Sequence, residues 1–199
     1  MITTRAYLLI VAALAAERVL ELALSARNRK LALAAGAIEC GRDHYLFMSA
    51  FHVLFLLALV SEKVWLRHPF PPVIGWIAVG GAVAAQALRY WAVVTLGARW
   101  NTRIIIFPNA APVTAGPYRY LRHPNYLAVI IEMACVPMIG GCWLTAMVFS
   151  LGNAVLLTVR IREEEKSLGK NYARTMASLP RLFPSLTVIR ELMILRRSP

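Results

Sequence analysis

"YLAVIIEMACVPMIGGCWLTAMVFSLGNAVLLTVR", residues 126–160, is a run of 35 residues that is almost entirely apolar. One helix crosses a bilayer with roughly 20 residues, so this run is long enough for nearly two. Gly140-Gly141-Cys142 in its middle is a turn signal. The stretch is therefore read as a helical hairpin with antiparallel arms, 126–140 and 143–160. Such a hairpin brings the start of its first arm and the end of its second to the same side. What flanks the run at those two points decides what the protein can do.

The rest of the chain fits a membrane setting. Of 199 residues, 59% are hydrophobic and only 16% charged, with a mean hydropathy of +0.58. Soluble domains sit near about 45–50% apolar and about 25% charged. Three further apolar segments, 6–26, 45–64 and 73–96, bring the expected total to five transmembrane helices in one all-α domain covering 1–199. The first lacks a basic lead-in and a small-residue cleavage site, and continues through Glu17, Arg18 and Glu21. It is read as a retained span, not a leader. In the third span Gly80, Gly81, Ala84 and Ala85 form a small-residue stripe suited to close helix packing. Cys40, Cys135 and Cys142 have no paired or metal-ligand spacing, and no metal site is expected.

A net charge of +12 raises nucleic acid as a partner, but the distribution of charge argues against it. Arg27, Arg29, Lys30 and Arg42 lie in one loop, Arg99, Arg103, Arg119 and Arg122 in another, and nine basic residues follow from Arg160 onward. Only Arg5, Lys63 and Arg67 fall on the opposite side. Cytoplasmic loops carry such an excess, so the N-terminus is expected outside and the C-terminus in the cytoplasm. The stretch Arg162 to about Leu179 reads as a cytoplasmic helix stopped by Pro180 and Pro184, and the tail to Pro199 as a short interfacial segment.

Two polar clusters flank the hairpin. "GPYRYLRHPNY", residues 116–126, precedes the first arm, and "RIREEEKSL", residues 160–168, follows the second. Pro124 suits the first turn of a helix, which makes His123 its cap and leaves free N–H groups that favour an anion. The plainer reading is a basic and aromatic collar at the headgroups. In the second cluster, acids at a membrane face either pair with neighbouring Arg and Lys or hold a cationic ligand. One molecule satisfies both clusters: S-adenosylmethionine carries a carboxylate, an ammonium and a sulfonium, and tyrosine faces attract the sulfonium.

These two motifs, separated by a helical hairpin, resemble those of the isoprenylcysteine carboxyl methyltransferase family over about residues 75–185. The resemblance to membrane phospholipid N-methyltransferases is more distant. "LGARWNTRIIIFPNAAPV", residues 96–113, is most similar to a small branch associated with alkylresorcinols and alkylpyrones. The resemblance implies a multi-pass enzyme of the cell (inner) membrane with a cytoplasmic S-adenosylmethionine site built from 97–126 and 160–185. A lipid-like acceptor would come from the bilayer. By position it implies that Gly116, Tyr118, His123, Pro124, Tyr126, Asn153, Glu164 and Glu165 bind the cofactor, and that Arg160 orients the acceptor. Two departures from the family pattern are Ala128 where glycine is usual and a Leu168–Tyr172 interval about one helical turn short, which implies a shorter lid.

Methyl transfer to a carboxylate needs no base, whereas a phenolic or enolic hydroxyl does. Glu132, two turns into the fourth span, is the expected base or the partner of one, since an intramembrane acid is functional by default. Arg18 and Glu21 are spaced for an i,i+3 pair, and His52 is read as a packing residue. The expected activity is lipid O-methylation. Prenylcysteine carboxyl methylation and phospholipid N-methylation stand as alternatives within enzymes. A membrane scaffold or small transporter is the rival from outside them, disfavoured because the polar clusters sit at helix ends and not at the bilayer midplane.

Overall fold

The computed structural model describes residues 2–108 and 110–183. Five helices account for most of them: α1 (Thr4–Ala34), α2 (Arg42–Leu66), α3 (Pro72–Leu96), α4 (Pro124–Gly140) and α5 (Trp143–Thr175). By length and composition the stretches Tyr45–Leu66, Pro72–Arg99 and Trp143–Thr175 are long and apolar enough to cross a membrane, and Pro124–Gly140 is a shorter apolar helix. Helix α1 is long enough at 31 residues, but Glu17, Arg18 and Glu21 interrupt its apolar surface.

The hairpin turns where the glycines sit. Gly141 ends α4 with φ of 72°, a left-handed conformation that favours glycine. The first turn of α5 is then capped from another helix: Glu62 accepts from the amides of Leu144 (3.1 Å) and Thr145 (2.7 Å) and from the Thr145 hydroxyl (2.6 Å). Beside it Lys63 donates to the carbonyls of His68 and Gly140, at 2.6 and 2.8 Å. Both charges are buried and both are satisfied, so they serve as a lock at the turn. Half of the small-residue stripe of α3 packs: Ala85 is buried and a Cβ on Gly81 would lie 2.5 Å from Cys135 Sγ of α4, while Gly80 and Ala84 face outward. Tyr7, Val11, Phe55, Leu59, Met133 and Val136 centre the core where α1, α2 and α4 meet.

The fold is the mostly helical one expected, with one addition: β1 (Ile38–Cys40) and β2 (Ile104–Ile106) pair antiparallel, with Glu39 opposite Ile105. This ribbon ties the α1–α2 connection to the α3–α4 connection, so the two basic loops share one end of the bundle. Glu39 fastens it further, accepting from Arg29 and Arg103 at 2.7 Å each. The helix expected to leave the fifth span is present: α5 is broken by a kink at Gly169, where φ is 76°, and a further helical stretch runs on to Thr175. Pro184 and the tail beyond it lie outside the described residues.

Candidate functional site

The site forms where α4 begins and α5 leaves the bundle. Pro124 starts α4 and leaves His123 as its cap residue. The segment after α5 folds back onto this point. The amides of Arg122 and His123 donate to the carbonyls of Pro180 and Arg181, both at 3.0 Å, and Arg122 Nε donates to the Leu179 carbonyl at 2.7 Å. Glu165 fastens the same junction. It accepts from Arg181 Nη2 at 2.7 Å, from His123 Nε2 at 3.2 Å and from Arg122 Nη1 at 3.3 Å.

The His123 ring stacks on Tyr126 at a centroid distance of 5.3 Å. The Tyr126 hydroxyl accepts from Arg160 Nε at 2.9 Å and donates to Glu164. Arg160 also donates to the Thr102 carbonyl at 2.6 Å and is 4% exposed. A hydrogen-bonded chain therefore runs from Arg160 through Tyr126 to Glu164, and it separates two cavities.

The outer cavity encloses about 440 Å³. Tyr118, Arg122, His123, Glu164, Lys170 and Tyr172 supply its charged and aromatic walls. Burial, helped by the nearby Glu164 charge, pushes the Tyr118 phenol up, so Tyr118 stays protonated. The inner cavity, about 190 Å³, lies deeper in the bundle and is mostly apolar, with Val53, Leu56, Val129 and Leu157 among its walls and Arg160 at one end. Leu22 on α1 and Val53 on α2 line it and are 47% and 56% exposed, so its mouth opens sideways between these helices. The two cavities share Trp100, Asn101, Asn125 and Tyr126. At this shared wall Trp100 Nε1 and Asn125 Oδ1 are buried without a hydrogen-bond partner among the described residues.

The sequence-derived residues divide between the two sides. Tyr118, His123, Tyr126 and Glu164 line the outer cavity. Gly116 and Pro124 line neither. Gly116, with φ of 53°, packs against Thr95 and Trp91, and both residues shape the chain before α4. Glu165 also stays behind the wall and positions His123. Asn153 lies in the inner cavity, not the outer one, so the cofactor-binding role expected for it does not follow from its position. Glu132 needs the larger correction. It lines neither cavity and is bound by Arg89 Nη2 at 2.8 Å, with Arg18 at 3.6 Å. It anchors an ion network that also includes the expected Arg18–Glu21 pair at 2.7 Å. A carboxylate held this way behind the wall does not reach an acceptor proton directly.

Several site residues escaped the sequence reading. Ser25 and Asn28 on α1 are 3% and 5% exposed and grip the loop that carries the shared wall. Asn28 donates to the carbonyls of Trp100 (2.8 Å) and Gly97 (3.3 Å), while Ser25 bonds Asn101 Oδ1 at 2.8 Å. Their signal was a pair of small uncharged polar residues three apart on α1, next to Arg27, Arg29 and Lys30.

Apolar helices whose polar ends enclose two contiguous cavities, one charged and aromatic and one apolar, define the class as an integral membrane protein. Residues 76–170 match the isoprenylcysteine carboxyl methyltransferase (ICMT) family. The chain is 38% identical over 161 residues to the Bacillus subtilis (strain 168) protein named "Uncharacterized protein YpbQ", covering 80% of this chain and 95% of that one. It is 27% identical over 165 residues to an "Uncharacterized protein" of Haemophilus influenzae, covering 82% and 95%. The chain belongs to the isoprenylcysteine carboxyl methyltransferase family, and membership implies the methyltransferase class.

Proposed function

We propose that the chain is an integral-membrane, S-adenosylmethionine-dependent O-methyltransferase acting on a lipid-like acceptor. In this reading all five helices cross the cell (inner) membrane, with the N-terminus outside and the outer cavity facing the cytoplasm. The observation that carries it is the pair of cavities meeting at Trp100, Asn101, Asn125 and Tyr126.

The outer cavity fits the cofactor in size and chemistry. Its volume lies within the roughly 300–1,000 Å³ usual for small-molecule sites. Glu164 offers a carboxylate to an ammonium, and Arg122 and Lys170 offer donors to a carboxylate. The unpartnered Trp100 Nε1 and Asn125 Oδ1 are a donor and an acceptor awaiting a polar ligand. S-adenosylmethionine held there by these residues would supply an electrophilic methyl group to an acceptor oxygen that enters as its anion.

The protein's own work is alignment and exclusion of water. Tyr126, held from both sides by Arg160 and Glu164, fixes the wall across which transfer occurs. Arg160 directs its guanidinium at the acceptor oxygen, and Leu56, Val129 and Leu157 keep the inner cavity dry. Arg18, Arg89 and Arg160 line that cavity together with Glu21. Arg18 and Arg89 are paired with Glu17, Glu21 and Glu132, so Arg160 at the shared wall is the cation nearest the acceptor, and it favours a phenolic, enolic or carboxylate oxygen over a phospholipid amine.

Titration calorimetry of detergent-purified protein with S-adenosylmethionine tests the reading. Binding is expected, weakened about 10-fold or more by His123→Ala, which removes part of the cavity wall, and by Glu165→Gln, which loosens the Arg122 and His123 side chains that Glu165 positions. Unchanged affinity in both variants places the cofactor elsewhere.

A further inference from the structure

Helix α5 carries a break that a fixed wall of the outer cavity does not require. At Gly169 the backbone turns to φ 76° and ψ −172°, a region open essentially to glycine alone. A Cβ placed there meets nothing within 4 Å among the described residues. Glycine therefore serves the turn itself and not close packing. The helical stretch beyond it carries Lys170, Asn171, Tyr172 and Met176 over the outer cavity, while Ala173, Arg174 and Thr175 face outward.

The far end of the same segment is fastened to the start of α4. Arg122 and His123 donate their amides to the carbonyls of Pro180 and Arg181. The Arg122 side chain adds bonds to the carbonyls of Leu179 and Ala177, at 2.7 and 3.2 Å, and Arg181 closes on Glu165 at 2.7 Å. Residues 170–183 are thus joined to the bundle by a glycine turn at one end and by hydrogen bonds at the other. Between these attachments Tyr172 and Met176 are the two buried side chains. Few buried apolar contacts and many peripheral hydrogen bonds mark a segment that opens before the core does.

We propose that residues 170–183 form a flap that swings on Gly169 to pass the polar ligand into and out of the outer cavity, with Arg122 as its latch. The ligand's identity rests on the proposed cofactor site. Opening returns the latch donors and carbonyls to water, which offsets much of their loss. The Arg181 side chain is 58% exposed, so its ion pair holds the flap only weakly. Shut, the flap keeps bulk water from the cavity, and the glycine absorbs the backbone change between the two states. A gate and a fixed wall differ in kinetics: loosening a gate speeds entry and exit together, whereas damaging a wall speeds exit alone.

Stopped-flow fluorescence of the full chain tests this, with S-adenosylhomocysteine as the probe and Trp100 in the cavity wall as a reporter. Gly169→Ala puts a side chain into a glycine-only conformation and so disfavours the shut flap. Association and dissociation are both expected to rise about 10-fold, so that Kd moves less than either rate. Arg181→Gln touches only the exposed part of the latch, and both rates should rise about 2- to 5-fold. Faster dissociation with unchanged association in the two variants overturns the gate and leaves cofactor binding standing. Hydrogen exchange supplies a readout that needs no ligand. In both variants the amides of Arg122 and His123 should exchange faster by one common factor, with residues 127–136 of α4 unaffected. Acceleration that spreads along α4, or none at all, overturns the flap. Absence of S-adenosylhomocysteine binding to wild-type protein counts against the cofactor reading, and exchange at Arg122 and His123 then decides the flap by itself.

Discussion

Arg160 shows how much one side chain can be asked to do. Its Nε donates to Tyr126, one terminal nitrogen to the Thr102 carbonyl, and the other meets Met48 Sδ at 3.5 Å. A planar fork satisfies these partners at once, and a lysine ammonium is a point charge on a flexible stem. Arg160→Lys is therefore expected to free Tyr126 from one of its two restraints and blur the alignment at the shared wall. Turnover should fall by about 10²-fold, the scale on which a misplacement of about 1 Å acts. Affinity for S-adenosylmethionine should change far less, because Arg160 lines only the inner cavity. Parallel measurement of kcat and of cofactor Kd decides it: a normal kcat with cofactor binding lost would reverse the assignment.

At the scale of elements, α1 is more than a wall. The polar residues near its C-terminal end carry the loop that holds Trp100 and Asn101, and its mid-helix charges close the network around Glu132. Asn28→Ala leaves the carbonyls of Gly97 and Trp100 without their shared donor. Such a loss costs about 1–3 kcal/mol and falls on a segment common to both cavities. Lower thermal stability together with roughly 10-fold weaker cofactor binding is expected, read by a melting curve and by calorimetry on the same preparation. A stability loss that leaves cofactor affinity untouched would mean that α1 supports the bundle without setting the site.

For the molecule as a whole, the β-ribbon joins the two connections that cover the site, and Glu39 governs it. Burial of that carboxyl works to raise it, but hydrogen bonds from Arg29 and Arg103 and their charges prevail and hold it below the ordinary value of 4.5. Folding thus favours the deprotonated form. The stabilisation is fully present above the unfolded value and is lost as pH falls through the lower folded value. Hydrogen exchange of residues 38–40 and 104–106 should accelerate relative to the intrinsic rate as pH falls below the ordinary value of 4.5 and through the lower folded value, and Glu39→Gln should remove that acid dependence. Equal acid dependence in both proteins would assign it to other carboxyls.

The parts legible beforehand were those written in local sequence. Gly141 at the turn, Pro124 at a helix start and acids following Arg160 announce themselves within a few neighbours. The expected i,i+3 pairing of Arg18 with Glu21 was legible for the same reason. What stayed hidden depended on which helices face each other. Spacing along α4 puts Glu132 on the face of Asn125, but only the α3–α4 contact reveals that Arg89 occupies it. Asn153 was assigned by position in a motif, whereas the rotation of α5 turns it toward the inner cavity. The pairing of residues 38–40 with 104–106 spans more than sixty residues and leaves no periodic trace in three-residue strands.

The shared wall carries a consequence for kinetics. The outer cavity opens at the bundle end, the inner one sideways between α1 and α2, so neither reactant blocks the route of the other. Addition should then be random in order, and each product should leave through its own door. S-adenosylhomocysteine should compete with S-adenosylmethionine but act as a mixed inhibitor against the lipid, and methylated lipid should show the mirror-image pattern. Strictly ordered inhibition would mean that one cavity closes until the other is filled.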